Sequence, residues 1–340
     1  MATTLEIGIP TYQRAPKLRR VLGLFRRQIA DQGLADRVSL RVHDNASTDA
    51  TQEVCEEARR EPDGVRVDVL RQTENVGFNR NVWSLYQRCQ ADYLWTFADD
   101  DLPLPGAVPT ILRALAEKCP ELLVFSFIQP PGSTKRTFDL PTDLHLETDP
   151  GACARFAWRQ PKLSQYVYRR RELSLEALGL VTDQLDRSAF AFIALAFSLL
   201  QDAATPSVAV LSPPQATCDE DYLKLRFVPD EWGRYDELLQ HPFLRAHAPE
   251  LAERAPRDAY RSLLSVLWSW RCGGVEVPPD DEAAWWDSVR RLPARWPWLR
   301  EHPGDLLRFA VLKVAPRLLP QGLNRASGAL RRLRGRAKGA

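Results

Sequence analysis

The chain has 340 residues, a formal net charge of +2 and an ordinary globular composition, with 44% hydrophobic and 26% charged residues. This length fits one large domain, or a catalytic domain with a smaller one. Residues 306–340 carry nine Lys or Arg and no acid, so the residues before them hold 37 basic against 44 acidic side chains. A mildly acidic body argues against nucleic-acid binding.

Cysteine usage and hydropathy exclude further classes. The six cysteines include no CxxC pair, so neither a zinc site nor a disulfide framework is predicted and a reducing compartment fits best. The N-terminus lacks the basic and apolar regions of a signal peptide. The longest nearly apolar run, 189–200, is too short to span a bilayer and predicts a buried helix. We therefore expect a cytoplasmic protein.

Strand and helix patterns alternate along the first 130 residues. The predicted strands are 5–9, 38–42, 67–70, 93–97 and 122–127, and the predicted helices are 16–28, 50–60, 79–89 and 107–119. This alternation predicts an α/β fold with a doubly wound, mostly parallel sheet flanked by helices.

The second part of the chain has a different pattern. Residues 130–150 are rich in proline and charge, which predicts a long loop of the kind that often forms a mobile flap. Helical patterns then dominate, with short strands predicted near 164–168 and 208–211. We expect a catalytic domain at 1–218 and a helical, Trp-rich C-terminal region with a basic tail at 219–340.

Polar clusters follow four of the predicted strands. They are Pro10–Arg14, Asp44-Asn45, Thr73–Gly77 and Asp99–Asp101. Open α/β sheets bind ligands beyond the carboxyl ends of their strands. Four clusters in such positions predict one binding site along that edge of the sheet.

The last cluster places three carboxylates at the end of an apolar strand. Their charges repel one another unless a cation or hydrogen-bond donors compensate. Mg²⁺ is a suitable cation, since it takes one or two carboxylates and completes its shell with substrate oxygens and water. An isolated Asp triplet is more often a solvated turn that caps the next helix. The three other clusters are the reason to favour a site.

Motifs of other enzyme classes are missing from the sequence. There is no glycine-rich phosphate loop and no GxSxG segment, and no Cys or Ser has an evident His partner. What remains is a metal-and-phosphate site without a covalent nucleophile. Such a site suits transfer from an activated diphosphate donor, in which a metal neutralises the leaving group and a separate base deprotonates the acceptor.

Four segments together resemble the family 2 glycosyltransferases of GT-A fold. They are IPTYQR (9–14), DNASTD (44–49), NVGFNRN (75–81) and FADDD (97–101), and their order and spacing resemble that family over about the first 130 residues. The resemblance implies inverting transfer of a sugar from a UDP, GDP or dTDP sugar, usually with Mg²⁺ or Mn²⁺. It also implies a glycan or lipid-linked acceptor, in bacterial surface-polysaccharide or lipopolysaccharide synthesis.

The same resemblance implies roles for the first two segments. Pro10, Thr11 and Arg14 would line the nucleotide pocket. Asp44 would accept a hydrogen bond from the base, because a carboxylate suits the N3–H of uracil or thymine.

The last two segments would contact the ribose and the diphosphate. Asn75 and Gly77 would lie along the nucleotide, and Arg80 would contact a phosphate. Asp99 would lie on the ribose side, and Asp101 would bind the metal.

The catalytic base is harder to assign. Family members carry it roughly ninety positions beyond the metal motif, often in a Glu-Asp pair near a helix start, and this chain has no such pair there. Asp186 is our choice over Asp183 and Asp202, because it precedes the predicted apolar helix at the expected distance. A helix cap is at least as good an explanation for Asp186.

Alternatives remain for the tail and for the activity. The tail fits an interfacial helix at the inner face of the plasma membrane, and equally a C-terminal helix packed on the body with a basic end. A sugar-nucleotide nucleotidyltransferase shares the α/β frame but needs a glycine- and Lys/Arg-rich loop after the first strand. A degenerate, nucleotide-sugar-binding member is the non-enzymatic alternative.

Overall fold

The computed structural model of the chain describes residues 2–129, 131–159, 162–187, 190–219 and 238–253. Most of the predicted Trp-rich C-terminal region lies outside these residues, as does the whole basic tail. The interfacial helix and the membrane contact predicted for the tail therefore stay predictions.

One nine-stranded sheet runs through the described residues. Its strands are β1 (Leu5–Thr11), β2 (Val38–Asp44), β3 (Val67–Arg71), β4 (Tyr93–Thr96), β5 (Asp101–Pro103), β6 (Leu122–Ile128), β7 (Leu144–Glu147), β8 (Tyr166–Arg169) and β9 (Val208–Cys218). The strand order is β3-β2-β1-β4-β8-β6-β9-β5, with β7 paired to β9.

The sheet has a parallel half and a mixed half. Strands β3, β2, β1 and β4 are parallel neighbours. Strand β8 runs antiparallel to both β4 and β6, while β6 and β9 are parallel and β5 and β7 run antiparallel to β9. The predicted α/β class is confirmed, and the predicted parallel order describes the first half, because β8 enters the sheet in the opposite direction.

Helices cover the sheet. They are α1 (Ala15–Asp31), α2 (Thr51–Arg60), α3 (Phe78–Arg88), α4 (Ala107–Lys118), α5 (Pro150–Trp158), α6 (Leu175–Thr182), α7 (Ala191–Asp202) and α8 (Pro242–His247), with a 3-10 turn at Leu163–Gln165. Helix α1 shows why they form. Its buried Leu18, Leu22, Phe25 and Ile29 recur every three to four residues, so one apolar stripe faces the sheet.

Helix α7 is the predicted buried helix. Every residue from Ala191 to Leu200 is buried, which explains the continuous apolar run. None of the described helices has the length and apolar character needed to cross a bilayer.

The predicted loop at 130–150 is wrong in part. Leu144–Glu147 forms β7 and pairs with β9, and the ring of Phe138 is buried. The hydroxyl of Ser126 accepts a hydrogen bond from the Phe138 amide at 2.9 Å, and that of Ser212 donates to the Phe138 carbonyl, also at 2.9 Å. These tertiary contacts order a segment whose local sequence has only turn character.

Residues beyond the predicted boundary at 218 also join this unit. Helix α8 packs against α5 and α7, with Phe243 and Leu244 buried. Residues 238–252 belong to the same compact unit as residues 2–219. The predicted division at residue 218 stays a prediction.

Candidate active site

The carboxyl ends of β1, β2 and β4 meet at one edge because these strands are parallel neighbours. Hydrogen bonds join the polar clusters that follow them. The Thr11 hydroxyl donates to Asp99 Oδ2 at 2.7 Å, and the Asn45 amide donates to the Thr11 carbonyl at 3.0 Å. Pro10 is buried within β1, beside His43 of β2. The predicted convergence of the four clusters is therefore a feature of the fold.

Arg14 is the cation of the Asp triplet in this structure. Its Nη1 lies 2.8 Å from Asp99 Oδ1 and 2.7 Å from Asp100 Oδ2. Asp99 is 5% exposed and Asp100 is 39% exposed. Burial raises the pKa of Asp99, and the charge of Arg14 opposes that rise. Arg14 therefore lies against Asp99, which is predicted for the ribose side, and against Asp100.

Asp101 is set apart from Arg14. It is 7% exposed and begins the short strand β5, opposite Cys218 of β9. Burial, with the charge of Asp100 as the next cause, raises the pKa of Asp101 to about 7, although a hydrogen bond from Ser164 opposes the shift. That hydrogen bond, from Ser164 Oγ to Asp101 Oδ2, measures 2.5 Å.

The residues at this point fit a divalent metal. A buried carboxylate with a raised pKa is stabilised when a cation binds it. No group of three or more His, Cys, Asp or Glu side chains in the described residues could form a protein-only cage. Mg²⁺ is usually held by one or two carboxylates together with substrate phosphates. Asp101 matches that mode of binding.

One carboxylate oxygen of Asp44 is buried without a hydrogen bond in the described part of the chain. The side chain is 1% exposed, and its Oδ1 accepts the Ser47 amide at 3.0 Å. Oδ2 is buried and receives no hydrogen bond from the described residues; Arg71 Nε lies 3.6 Å away. A buried oxygen without a donor is costly. An N–H of a nucleotide base would satisfy it, which is the role predicted for Asp44.

Asn75 and Gly77 shape the loop that enters α3. Asn45 Nδ2 donates to Asn75 Oδ1 at 2.7 Å and Asn45 Oδ1 accepts the Val76 amide at 2.9 Å. Asn75 Oδ1 also accepts the Gly77 amide at 3.0 Å. Gly77 has φ 82° and precedes the first residue of α3, a conformation that favours glycine. These two residues fix the loop at the sheet edge.

Arg80 and Asp186 bind each other. Arg80 Nε lies 3.1 Å from Asp186 Oδ1, and Nη2 lies 2.6 Å from Oδ2. The two side chains are 50% and 70% exposed. The predicted phosphate contact and the predicted base thus form one exposed, bidentate ion pair.

The local position of Asp186 differs from the expected one. It lies in the turn between α6 and α7, and the residue that precedes α7 is Phe190, with no acid in the first turn of that helix. The two other candidates for the base, Asp183 and Asp202, do not directly precede α7 either. Asp183 directly follows the last residue of α6, and Asp202 is bound by Arg171 Nη1 at 3.0 Å.

Two contributors were not predicted from the sequence. Asn45 carries the hydrogen bonds that join β2 to the Asn75 loop, and Ser164 binds Asp101. Asn45 stands beside Asp44, so its position at the strand end was a usable signal. Ser164 is 63 residues from Asp101, and nothing in its local sequence marks it.

Comparisons with known proteins bear on the family and the fold. Residues 6–172 match the profile of the family described as Glycosyl transferase family 2. No curated protein matches the chain in sequence.

Solved structures show the same fold at low identity. A 1–349 fragment of S. aureus TarS has a TM-score of 0.58 at 13% identity, covering 93% of this chain and 92% of that one. The same fragment in complex with UDP-GlcNAc has a TM-score of 0.58 at 15% identity, covering 86% and 81%. A mannosyltransferase, PcManGT from Pyrobaculum calidifontis in complex with GDP-Man and Mn²⁺, has a TM-score of 0.51 at 16% identity, covering 92% and 87%.

Proposed function

Because this chain is a glycosyltransferase whose residues 6–172 form a family 2 domain, we propose that it transfers a sugar from a nucleoside-diphosphate donor to an acceptor hydroxyl by a single, inverting displacement. The donor is a UDP, GDP or dTDP sugar. The observation that carries this proposal is the shared edge of the sheet, where Asp44 offers a buried oxygen without a donor and Asp101 is a buried carboxylate held by Ser164.

Two similar structures support the donor class. The TarS fragment is known in complex with UDP-GlcNAc, and PcManGT is known in complex with GDP-Man and Mn²⁺. Asp44 can accept an N–H from uracil, thymine or guanine alike, since a carboxylate accepts hydrogen bonds only. Which nucleobase the donor carries is therefore a question for experiment.

The nucleotide is held by the first half of the sheet. Asp44 accepts the base N–H, and Thr11 with Asp99 lies on the ribose side. Asp101 holds Mg²⁺ or Mn²⁺, which when bound would neutralise charge on the leaving diphosphate. Arg80 is the candidate contact to a phosphate, because its guanidinium can bind phosphate oxygens in a bidentate manner.

Asp186 is the candidate base for the acceptor hydroxyl. Its carboxylate is bound by Arg80, which occupies one acceptor position on each carboxylate oxygen. A phosphate that binds Arg80 competes with Asp186 for the same guanidinium. Donor binding would in this way free the carboxylate for the acceptor.

For the biological setting we propose a cytoplasmic enzyme of bacterial polysaccharide or lipopolysaccharide synthesis, acting on a glycan or lipid-linked acceptor. The support is the basic tail, with nine Lys or Arg and no acid in residues 306–340. Such a segment is attracted to anionic lipid, at about 1 kcal/mol per basic residue near the surface. Loss of vesicle binding on deletion of the tail would test this part of the proposal.

The donor assignment is tested by thermal shift with UDP, GDP and dTDP, each with and without Mn²⁺. We expect one nucleotide to stabilise the protein only when Mn²⁺ is present, and Asp101→Asn to abolish that stabilisation. Asp92→Asn is the matched control, because Asp92 lies before β4, at the opposite edge of the sheet, and binds Thr4. Stabilisation by none of the nucleotides would contradict the proposed function.

A further inference from the structure

Ser164 makes two hydrogen bonds inside the candidate metal site. The residue is fully buried and lies in the 3-10 turn that precedes β8. Its Oγ is 2.9 Å from the Ala98 amide nitrogen and 2.5 Å from Asp101 Oδ2. The amide can only donate, so Oγ accepts there and its own proton goes to Asp101. The directions of both hydrogen bonds are thus fixed whenever Asp101 is ionised, the form that binds a cation.

The turn that carries Ser164 is held by both neighbouring strands. Trp95 Nε1 donates to the Ser164 carbonyl at 2.8 Å, and Thr96 Oγ1 donates to the Leu163 carbonyl at 3.0 Å. On the other side, Gln165 Nε2 donates to the Phe125 carbonyl at 2.6 Å. All of these contacts are buried, so the Ser164 hydroxyl is a fixed point between β4 and β6.

This fixed hydroxyl acts on both ends of the Asp triplet. Through Ala98 it holds the backbone that enters the triplet, and through Oδ2 it holds the side chain of the last member. No described residue donates a hydrogen bond to the other carboxylate oxygen, Oδ1. Groups that bind a ligating carboxylate from behind set its orientation and typically change metal affinity 10–100-fold when lost.

We propose that Ser164 is a positioning residue for the metal of the transfer reaction: it holds Oδ2 of Asp101 and so presents Oδ1 to a divalent cation. The proposal rests on the proposed function, because that function supplies the reason for a cation beside Asp101. Ser164 itself contacts neither the cation nor the donor.

The test measures Mn²⁺ binding directly, by electron paramagnetic resonance titration, with and without the nucleotide that stabilises the protein. In Ser164→Ala we expect Mn²⁺ affinity to fall about 10–100-fold, while nucleotide affinity without metal stays unchanged. Ser164→Cys keeps a weaker donor and should give an intermediate loss. Because Ser164→Cys nearly preserves the volume of the side chain, its Mn²⁺ affinity also tests the proposal if Ser164→Ala does not fold.

Ser126→Ala is the matched control. Ser126 is equally buried in β6 and exchanges hydrogen bonds with the backbone of Phe138, so its loss should cost a similar amount of stability and leave Mn²⁺ affinity unchanged. Wild-type Mn²⁺ affinity in both Ser164 variants would overturn the role of Ser164 alone. A wild-type protein that binds no Mn²⁺, with or without nucleotide, would overturn the metal part of the proposed function as well.

Discussion

The two halves of the sheet contribute to the site in different ways. In the parallel half, β1, β2 and β4 end at one edge, so Thr11, Asp44 and Asp99 meet as a direct result of strand direction. In the mixed half, Ser164 and Asp186 come from turns before β8 and α7. Parallel strands bring their carboxyl ends together whatever the loops do, whereas residues on turns need contacts of their own to hold them.

Burial separates Asp186 from the other site residues. Asp44, Asp99 and Asp101 are at most 7% exposed, while the Asp186 side chain is 70% exposed. The proposed nucleotide site thus consists of side chains that are already buried, at a cost in desolvation. The candidate base forms an exposed ion pair with Arg80, of a type that contributes about 0–1 kcal/mol. Donor binding should thus depend on fixed groups, and proton transfer on a movable one.

The largest expected effect belongs to Asp101. Asp101→Asn keeps the shape and removes the charge, so activity should fall about 10³-fold, since metal stabilisation of a leaving group is worth several kcal/mol. Stability above pH 7 should rise at the same time, because burial raises the pKa of the Asp101 carboxyl to about 7 and its ionised form is costly. Transfer assays and urea unfolding measure the two effects. Lower stability together with lost activity would mean that Asp101 is mainly structural.

The next effect concerns the exposed pair. If Asp186 is the base, Asp186→Asn should lower kcat about 10²-fold, at the lower end for general-base catalysis, and leave the donor KM nearly unchanged. Arg80→Gln should instead raise the donor KM, because it removes a phosphate contact. Full kinetics of both variants and of the double variant separate the two roles. If both variants lost the same amount in the same parameter, kcat or donor KM, Asp186 would act only as the ion-pair partner of Arg80.

Asp44 should show a smaller effect confined to the nucleotide. Asp44→Asn can keep the hydrogen bond from Ser47 but removes the charged acceptor at Oδ2, so nucleotide affinity should fall about 10–100-fold, as for one hydrogen bond to a charged group. Isothermal calorimetry measures it. Asp68→Asn is the control, because Asp68 lies in neighbouring β3 and pairs with Arg41 and Arg66. An unchanged affinity in Asp44→Asn would remove Asp44 from the base pocket.

The difference between the halves also explains what could be predicted from the sequence. Periodicity and strand-end polar residues were enough to place Thr11, Asp44 and Asp99 at one edge, because the backbone direction of parallel strands does the rest. Ser164 could not be found in that way, since its partner lies 63 residues away and only the packing of the 3-10 turn between β4 and β6 joins them. The Arg80–Asp186 pair spans 106 residues and has the same origin.

The strand β7 within the predicted loop at 130–150 was missed for a related reason. The segment 130–150 has turn-forming composition, and its order comes from Phe138 and from the pairing of Leu144–Glu147 with β9. The sequence pattern of this segment predicts neither contact. Sequence reasoning was thus sufficient where local periodicity decides the structure, and insufficient where distant side chains decide it.

The smallest expected effect compares two buried histidines, His43 in β2 of the parallel half and His241 at the start of α8. Burial, with the charge of Arg41 as the next cause, lowers the pKa of His43 to about 3, and burial lowers the pKa of His241 to about 4. The unfolded chain protonates both near pH 6.5, and the folded protein does not, so the stability that each neutral ring provides is present above pH 6.5 and is lost as the pH falls.

Each ring should therefore contribute a loss of about 1.4 kcal/mol per pH unit below pH 6. His43→Gln and His241→Gln should each remove that amount from the slope of unfolding free energy against pH between 6 and 5, measured by urea denaturation. The two slopes should separate only near pH 4, where His241 protonates in the folded protein and His43 does not. One ring nitrogen of each histidine contacts a serine, Nδ1 of His43 with Ser84 and Nε2 of His241 with Ser198. Ser84→Ala and Ser198→Ala therefore serve as controls that keep the titrating ring. If only one histidine variant flattened the slope, the region around the other histidine would open below pH 6 before the whole unit unfolds. The parallel half of the sheet and the helices α5, α7 and α8 would then differ in stability.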